Sequence, residues 1–594
     1  MASRFSNVDP VTAADMRRQG LDPHELDRRT EQLMSLIHGN LPDPPVSTTA
    51  RLTAFRARPS DGVDRISRLS DALLRDIVSR LPIKDAARTA ALAARWRGVW
   101  RSTPLVLVDT HLVSSARAST PDVIAAVSRV LAAHHGPFRS VHLTCSCMGA
   151  YQAQLKRWLR LLAARGVQEL VLVNRPWLRE VPLPKTLFTI STLTRLYIGV
   201  WKFPDAAGLQ GASFPHLREL GICSVAMKDG DIDAVVSRSP ALEILNIQGS
   251  MKGVHLRLVS HSLRCVQICS FVIESVNVVN APRLERLILS ECLNPAGGSC
   301  IRVKIGNVPK LKVFGFLEPG KYVLEIQDTV IMAGIKTSAS MMVTSVNVLS
   351  MKVCFGVYDD VKMVPAFLKC FPNVEALHIT SEKCDQLAGK FDLKFWEEVG
   401  LIVSVLLRLK VITFREYRAR QDELAFLQYI LQHAMVLKYA VVQMVNPKFT
   451  SLSVDEMAYT IDNMQKKKKK GNLVHVAPAC AGSREGSDHF GSIVRSLSLH
   501  FCKRLFPGLE PMTSWSQGSS FTIDNMQPPK NKKWASTVGL LTMGTHGPEG
   551  GETWTFRKGA DLSDDDPIAP VKFIIRVAGP AMRQHKSRAA KHRN

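Results

Sequence analysis

The sequence lacks the patterns that mark an enzyme, a metal protein or a disulfide-stapled protein. Among its 594 residues there is no G-x-S-x-G, no G-x-x-x-x-G-K-[ST] and no H-E-x-x-H, and no G-x-G-x-x-G follows a predicted strand. The twelve cysteines form no C-x-x-C pair, which is typical of a reduced intracellular protein without a zinc framework. We therefore expect no catalytic residue, no metal ligand and no cofactor.

Long apolar runs and acidic residues are also scarce. The most apolar stretch, residues 401–414, contains Arg408 and Lys410. It falls short of the roughly 18 uncharged residues that a membrane helix needs, and the first twenty residues lack the apolar core of a secretory signal, so we expect no membrane partner. Lys and Arg number 77 against 52 Asp and Glu, a net charge of +25. This excess favours an anionic partner but does not indicate a fold.

The composition otherwise suits folded domains, because 46% of the residues are hydrophobic and 22% are charged. Residues 1–60 differ from the rest, since they mix Pro, Asp, Arg and Ser and show an apolar cluster only near Leu33 to Ile37. We expect them to form a disordered N-terminal arm.

Residues 61–110 predict a short helical unit. In the first helix the apolar residues recur at steps of three and four, Ser70 with Asp71 can cap its start, and Pro82 ends it. A second helix is predicted from about Lys84. Two such short helices cannot bury their own apolar face, which predicts a partner for it. The apolar positions are Leu69, Leu73, Leu74 and Ile77 in the first helix, and Leu92, Trp96, Val99 and Trp100 in the second.

Residues 111–390 repeat one pattern, an apolar residue followed three and five positions later by two others. Successive matches begin 29, 26, 24, 25, 21, 21, 27, 32 and 31 residues apart, intervals close to the 20–29 residues of a leucine-rich repeat. Each unit predicts one short strand, whose alternate apolar side chains can be buried only by stacking against the next unit. The matches begin at Phe138, Val167, Leu193, Leu217, Leu242, Leu263, Leu284, Leu311, Val343 and Val374.

The side chains that alternate with the buried ones are predicted to line the concave surface of the solenoid. Their mixture of charges, amides and one aromatic ring suits a folded or peptide partner better than a phosphate backbone. Any solvated strand face would carry similar residues, so contact with a ligand stays open for them. The same register places Glu169 and Asn347 on this surface. The candidate substrate-binding residues are Arg195, Tyr197, Glu219, Asn246, Gln248, Gln267, Arg286 and His378.

Residues 61–110 resemble the plant form of the F-box, with two departures: Ser70 stands where the family has Pro, and Val78 where it has Leu or Ile. The resemblance implies docking on a Skp-type adaptor, and Leu81→Ala with Pro82→Ala is expected to abolish adaptor capture. The implied docking residues, some of which must instead pack the helices together, are Leu69, Leu73, Leu74, Ile77, Leu81, Pro82, Leu92, Trp96 and Trp100. The residues on the family pattern are Ile66, Ser67, Leu69, Asp71, Leu73, Leu74, Ile77, Ser79, Leu81, Pro82, Lys84, Ala86, Thr89, Leu92, Arg95, Trp96, Arg97 and Trp100.

Residues 391–445 resemble the core of the FBD domain that follows F-box and leucine-rich segments in many plant proteins. Residues 423–431 predict an amphipathic helix, and residues 436–438 follow it as the exit from the domain. The hexamer T-I-D-N-M-Q at 460–465 recurs at 522–527, so residues 446–566 are predicted to be an FBD tail with an insertion. A strand before the helix is predicted from Leu406, Leu409, Val411, Ile412 and Phe414.

Basic residues gather in the lysine run at 466–470 and in the tail at 567–594. Such runs serve as nuclear-localisation or nucleic-acid patches, or simply as solvated tails. No basic groove interleaved with aromatic residues accompanies them, so we do not expect a nucleic-acid partner. Localisation in the nucleus, the cytoplasm or both is the corresponding expectation.

The order F-box, leucine-rich solenoid and FBD resembles the plant substrate receptors of SCF ubiquitin ligases. The implied fold class is α+β: a short helical F-box, an α/β solenoid and a small C-terminal α+β region. The resemblance implies a non-catalytic subunit that reaches a cullin scaffold indirectly, through the adaptor, while the solenoid holds an unknown protein substrate. Two alternatives stay open. One is a hormone-like small-molecule receptor using Arg195, Tyr197 and Arg286, and the other is a nucleic-acid-associated protein using the basic tail.

Overall fold

The structure is a computed structural model that describes most of residues 22–445 and three short strands beyond them. The described ranges are 17–18, 22–46, 64–113, 119–175, 181–204, 209, 211–250, 253–293, 300–335, 338–383, 393–445, 473–477, 539–543 and 554–558. The duplicated hexamer, the lysine run at 466–470 and the tail at 567–594 lie outside these ranges.

A 14-stranded sheet runs through the molecule, and all of its neighbouring strands pair in parallel. In spatial order the strands are β1 (Leu105–Val108), β2 (Phe138–Leu143), β3 (Glu169–Val173), β4 (Arg195–Gly199), β5 (Glu219–Cys223), β6 (Ile244–Ser250), β8 (Cys265–Phe271), β10 (Arg286–Ser290), β12 (Val313–Leu317), β15 (Val348–Val353), β16 (Ala376–Ser381), β17 (Val411–Tyr417), β18 (Tyr439–Met444) and β19 (Leu473–Ala477). Ten of the sheet's fourteen strands lie in the ten L-x-x-L-x-L repeats, and β1, β17, β18 and β19 lie outside them.

Helices precede the sheet and connect several of its strands before β6 and after β15. Leu69, Leu81 and Trp100 are half-buried against the core that these helices and strands share. The helices are α1 (Pro23–Asn40), α2 (Asp71–Ser79), α3 (Ile83–Thr89), α4 (Ala94–Ser102), α5 (Thr120–Ala133), α6 (Gln152–Ala164), α7 (Asp231–Ser237), α8 (Tyr358–Cys370), α9 (Leu393–Val399), α10 (Val403–Leu407) and α11 (Gln421–His433).

The middle repeats connect their strands through a second sheet instead of a helix. Two successive repeats there are only 21 residues long, which after the main strand and its turns leaves too few residues for a packed helix, whereas an extended segment spans the same distance with fewer residues. The second sheet, which sequence analysis missed, has the order β14 (Thr329–Val330), β13 (Tyr322–Ile326), β11 (Ile301–Asn307), β9 (Ser275–Asn280) and β7 (His255–Val259). The next two repeats are longer, at 27 and 32 residues, and their strands β11 and β13 extend the same sheet by pairing onward from β9.

The strands of the FBD-like region extend the main sheet. Strand β17 pairs with β16 of the preceding repeat, and β18 pairs with β17 on one side and β19 on the other. The predicted strand starts at Val411, since Leu406 lies in α10, and the predicted helix is confirmed as α11.

Two repeats differ from the predicted register. In the repeat that begins at Val343, the strand starts only at Val348, and Leu349 and Met351 fill the core, so Asn347 precedes the strand. The frame that begins at Val346 fits the same apolar spacing, which is why the sequence could not separate the two. In β12 an irregularity in the pairing puts Leu317, rather than Phe316, in the core.

Candidate interaction surfaces

The F-box helices cap the first strand of the solenoid with their inner face. Leu74 and Val78 of α2 and Trp96 of α4 are 0%, 0% and 7% exposed, and they share one core with Leu105 and Leu107 of β1. The predicted second helix is in fact two, α3 and α4, separated at Ala93, whose backbone is extended. The apolar inner face of the F-box therefore has its partner within the chain.

The outer face of the same unit leaves large apolar side chains in solvent. Leu73 and Ile77 lie one turn apart on α2 and are 53% and 40% exposed. Ile66, just before α2, is 56% exposed, and Leu92, in the turn between α3 and α4, is 67% exposed. Such side chains on a folded unit mark a surface that a partner can cover. We call these four residues the outer face.

The predicted docking residues divide between these two faces. Leu73, Ile77 and Leu92 lie on the outer face, whereas Leu74 and Trp96 are buried in the core and their side chains cannot meet an adaptor. Leu69, Leu81, Pro82 and Trp100 are half-buried. A helix wheel alone could not make this division, because either side of an apolar stripe can face a core.

Arg95 holds the start of the F-box against its end. Its guanidinium forms an ion pair with Asp71 at 2.7 Å and donates hydrogen bonds to the carbonyl oxygens of Leu69, at 2.6 Å, and of Ser67. Ser70 caps α2 through its hydroxyl, as predicted, by accepting from the Leu73 amide at 3.4 Å. Sequence analysis identified Arg95 only as part of a pattern. Its structural role is to fix the turn from which Leu73 projects.

The candidate substrate-binding residues lie on the solvent-facing side of consecutive strands. Residues in register across β3, β4 and β5 are Glu169, Arg195 and Glu219 in one row, and Val171, Tyr197 and Gly221 in the next. Asn246 of β6 is in register with Gln267 of β8. Gln248 lies two residues further along β6, Arg286 begins β10, and His378 lies on β16, which is two strands beyond β12.

Three of these residues bond to one another. The Arg195 guanidinium donates to Glu219 at 2.9 Å and forms an ion pair with Glu169 at 3.5 Å, and the Tyr197 hydroxyl donates to Glu219 at 2.6 Å. Burial and the Glu219 carboxylate hold the pKa of Tyr197 well above its ordinary value, so the phenol stays protonated. The cluster is thus electrostatically satisfied within the sheet.

The remaining candidates form a less charged section of the concave surface, from β6 onward. Asn246, Gln267 and Arg286 are half-buried, whereas Gln248 is 6% exposed and His378 is 7% exposed. Burial, with Arg415 nearby, lowers the pKa of His378 to about 3, so this imidazole is neutral at physiological pH. The exposed part of the concave surface is accordingly rich in amides, which donate and accept hydrogen bonds.

Helix α1 covers the concave surface next to that section, which corrects the prediction of a disordered arm for residues 22–46. Met34 and Ile37 are each 1% exposed and pack against Val171, Val173, Tyr197, Val200 and Cys223, a set that we call the β3–β5 patch. Sequence signals for this helix exist. Asp22 caps it by accepting from the His24 amide at 2.9 Å, Pro23 occupies its first turn, and Pro42 follows its end.

An ion pair fixes the helix on this patch. The guanidinium of Arg175, whose side chain is 7% exposed, lies 3.2 Å from the Glu31 carboxylate of α1. Further along the chain, Val46 is buried against Val106 and Val108 of β1. The segment from Glu31 to Val46 thus lies along the concave side of the first strands.

Comparison with known proteins covers all three parts of this architecture. A family model described as F-box domain matches residues 66–107, and one described as FBD-associated F-box protein At5g56370, LRR repeats, matches residues 155–379. A third, described as FBD, matches residues 397–442. The chain thus combines an F-box, leucine-rich repeats and an FBD in the order that F-box/FBD/LRR-repeat proteins share. The FBD match spans α10, β17, α11 and nearly all of β18, the last repeats of the solenoid.

Several relatives come from Arabidopsis thaliana. F-box/LRR-repeat protein At3g26922 is 28% identical over 272 residues, which cover 43% of this chain and 86% of the relative. F-box/LRR-repeat protein 13 is 25% identical over 425 residues, 64% of this chain and 90% of the relative. F-box/FBD/LRR-repeat protein At5g56420 is 24% identical over 420 residues, 66% of this chain and 94% of the relative.

Among the described residues, no group of three or more His, Cys, Asp or Glu side chains is placed to hold a metal ion. None of the described helices has the length and apolar character that crossing a membrane requires. Burial raises the pKa of the Cys223 and Cys269 thiols to about 12, so neither is a thiolate at neutral pH.

His38 of α1 gives the docked helix a measurable pH dependence. Burial, followed by the Arg175 charge and opposed by Glu31, lowers the pKa of His38 to about 4 from an ordinary value of 6.5. An undocked helix protonates near 6.5, so docking keeps its full free energy above pH 6.5 and weakens as the pH falls towards 4.

Histidine-selective NMR titration of the intact protein is expected to show one resonance with a pKa near 4 that is missing in the His38→Gln variant. In a Met34→Asp/Ile37→Asp variant, that resonance is expected to titrate near 6.5, because the helix no longer docks. A His38 pKa near 6.5 in the unchanged chain would show that α1 does not occupy the patch.

Proposed function

We propose that this protein is the substrate-recognition subunit of an SCF-type ubiquitin ligase. In this proposal, the F-box docks to a Skp-type adaptor, the adaptor connects the chain to a cullin scaffold, and the solenoid holds a target protein. Ubiquitin transfer then follows from proximity, because the chain brings the target close to a ubiquitin-carrying enzyme that it does not itself contain.

The observation that carries the proposal is the outer face. Leu73, Ile77 and Leu92 project from a unit whose other face is already packed against β1, so their exposure is not a sign of an incomplete fold. Each offers an apolar side chain whose complete burial contributes about 1.5–3 kcal/mol, which suits the centre of a protein interface. The F-box match over residues 66–107 indicates the kind of partner, a Skp-type adaptor.

The concave surface supports the second half of the proposal. Beyond β5 it presents amides in register, Asn246 beside Gln267, with Arg286 on the next strand. Such groups recognise backbone and polar side chains of a protein ligand through directional hydrogen bonds. Of the three residues behind the small-molecule alternative, Arg195 and Tyr197 are bonded to Glu219, and Arg286 lies on β10.

Binding of a purified Skp-type adaptor to the full chain tests the first half. We expect a one-to-one complex that the Leu81→Ala/Pro82→Ala variant forms much more weakly, because Pro82 is the N-cap residue of α3 and Leu81 packs against the core. Circular dichroism and the unfolding midpoint of the solenoid serve as the control for folding. Failure of the unchanged, folded chain to bind any Skp-type adaptor would refute the proposal.

The nucleic-acid alternative remains a prediction. It is tested by the salt dependence of nucleic-acid binding to the chain with and without residues 567–594.

A further inference from the structure

The β3–β5 patch is an apolar area on the concave surface, separate from the cluster of Val313, Val348 and Ala376 further along the sheet. In register across the sheet, Val173 of β3 is followed by Gly199, Cys223 and Gln248, and Val171 is followed by Tyr197, Gly221 and Asn246. The change from apolar to polar falls between β5 and β6. A solvent-facing sheet surface does not need Val171, Val173 and Cys223 for the core, so these residues indicate a ligand-binding area.

Two glycines shape this area for a helix. A Cβ on Gly221 would lie 2.1 Å from Cδ1 of Tyr197, so only a glycine lets the tyrosine ring lie flat across β5. A Cβ on Gly199 would lie 3.1 Å from the Val173 side chain. Because these two positions have no Cβ atom, the backbone is accessible between the larger side chains of the patch, and a helix can approach the sheet closely there.

The chemistry of α1 shows what the patch accepts. Leu33, Met34 and Ile37 form its apolar stripe, at spacings that place them on one side of a helix, and Leu41, just after its end, packs against the same patch. Glu31 supplies a carboxylate to Arg175 just before that stripe. Arg175 also donates to the Thr144 carbonyl at 3.3 Å, which holds the guanidinium at the end of the patch. The site therefore fits an amphipathic helix that carries one acidic residue before its apolar stripe.

Helix α1 can leave this site without disturbing the sheet. It belongs to no strand pairing, and residues 47–63 separate it from the F-box. Its contacts to the patch include one apolar stripe and one ion pair, and the stripe packs in a cluster distinct from the core of the solenoid. Removing it would expose the patch directly beside the amides of β6 and β8.

We infer that the β3–β5 patch is the site for the target protein, and that α1 is a built-in competitor for it. The target presents an amphipathic helix with the apolar stripe of α1 and a carboxylate for Arg175, and it displaces α1 when it binds. This inference rests on the proposed function, since it names the chemistry of the target that the solenoid holds. It also gives α1 a regulatory role, because a target helix that fits the patch poorly cannot displace α1.

A synthetic fluorescent peptide of residues 22–46 tests whether the site can be vacated and refilled. The acceptors are the full unchanged chain and the full Met34→Asp/Ile37→Asp chain, whose own α1 cannot bury two carboxylates. Because the tethered α1 competes at a high effective concentration, the peptide is expected to bind the double variant about tenfold or more tightly than the unchanged chain. A Gln32→Asp/Ser35→Asp chain carries the same charges on exposed positions of α1 and should behave as the unchanged chain does.

The location of binding is tested by adding Val173→Asp to the double variant. This change puts a charge in the patch, and peptide binding should be lost. A peptide with Glu31→Gln should bind more weakly, because Arg175 loses its partner. Equal binding to the unchanged and double-variant chains, or binding that survives Val173→Asp, would overturn the inference.

The target chemistry is tested with a displayed library of helical peptides selected on the double variant. We expect enriched sequences to carry the apolar stripe with a preceding acidic residue, to compete with the 22–46 peptide and to fail on the Val173→Asp chain. Enriched peptides that do not compete, or no enrichment, would overturn the inference. Adaptor binding is measured on the same variants. If the unchanged chain does not bind the adaptor, the result counts against the proposed function. If the adaptor binds but the peptide does not, the result counts only against the inference that the β3–β5 patch is the target site.

Discussion

Replacing Leu73 and Ile77 with aspartate is expected to abolish binding of a Skp-type adaptor while the chain stays folded. Both side chains are exposed, at 53% and 40%, so the change removes no core contact. In the complex, two carboxylates would have to lose water at the centre of an apolar interface. The loss of the two side chains, at about 2 kcal/mol each for interface hot spots, corresponds to roughly a thousandfold weaker binding.

The matched control for this variant places the same charges on a distant surface. Leu401 and Val403 are 61% and 58% exposed at the other end of the solenoid, and aspartate at both should leave adaptor affinity unchanged. Isothermal titration calorimetry measures the affinity, and thermal unfolding checks the fold. Wild-type affinity in the Leu73→Asp/Ile77→Asp chain would show that the outer face is not the docking surface.

Replacing Trp396 with alanine is expected to unfold the last repeats of the solenoid far more easily than the rest. The Trp396 ring is fully buried, with ring centres 5.0 Å from Phe426 and 5.6 Å from Tyr429. Removing so large a side chain leaves a cavity in the aromatic core between α9 and α11, at a cost of about 3–5 kcal/mol. Because each repeat contacts mainly its neighbours, the loss should stay local to the end of the sheet.

Hydrogen exchange resolves this effect by region. Amides of β17, α11 and β18 should exchange much faster in Trp396→Ala, whereas those of α2 and β1 should keep their rates. Leu407→Ala, at a side chain that is 54% exposed in the same region, is the control and should change stability by about 0.5 kcal/mol or less. Uniform destabilisation along the whole chain would contradict the assignment of this region as the last repeats of one solenoid.

A buried carboxylate explains why this region keeps its shape at the turn into α11. Glu423 is 0% exposed and accepts hydrogen bonds from the backbone amides of Arg418, at 2.9 Å, and Arg420, at 3.1 Å. The Ser381 hydroxyl at the end of β16 donates to its other oxygen. Glu423 therefore links the start of α11 to the end of β16, a role that the sequence pattern did not reveal.

The parts predicted well from sequence are those in which periodicity and packing agree. The repeat spacing located the main-sheet strands β2 to β6, β8, β10, β12 and β16, because an apolar residue at every second strand position has to face a core. It failed at β15, where frames that begin at Val343 and at Val346 both satisfy the pattern and only packing decides between them. The second sheet was missed because strands such as β7, with alternating exposed and buried residues, lie between the repeat matches.

The interaction surfaces were harder to predict for a physical reason. Residues such as Leu73 and Leu74 are neighbours with the same hydrophobicity, and only the position of β1 decides which one is buried. Helix α1 had visible capping signals, but its short stripe became meaningful only with the β3–β5 patch beside it. Polar composition dominated the rest of the arm and led to the prediction of disorder there.

Hydrogen exchange of the full chain with and without a purified Skp-type adaptor tests the central claim most directly. If the outer face docks the adaptor, the new protection should appear in residues 64–102, strongest around α2 and the turn at Leu92, while β4 to β16 and α1 keep their exchange rates. No complex with the folded chain, or protection confined to the concave strands, would contradict the account.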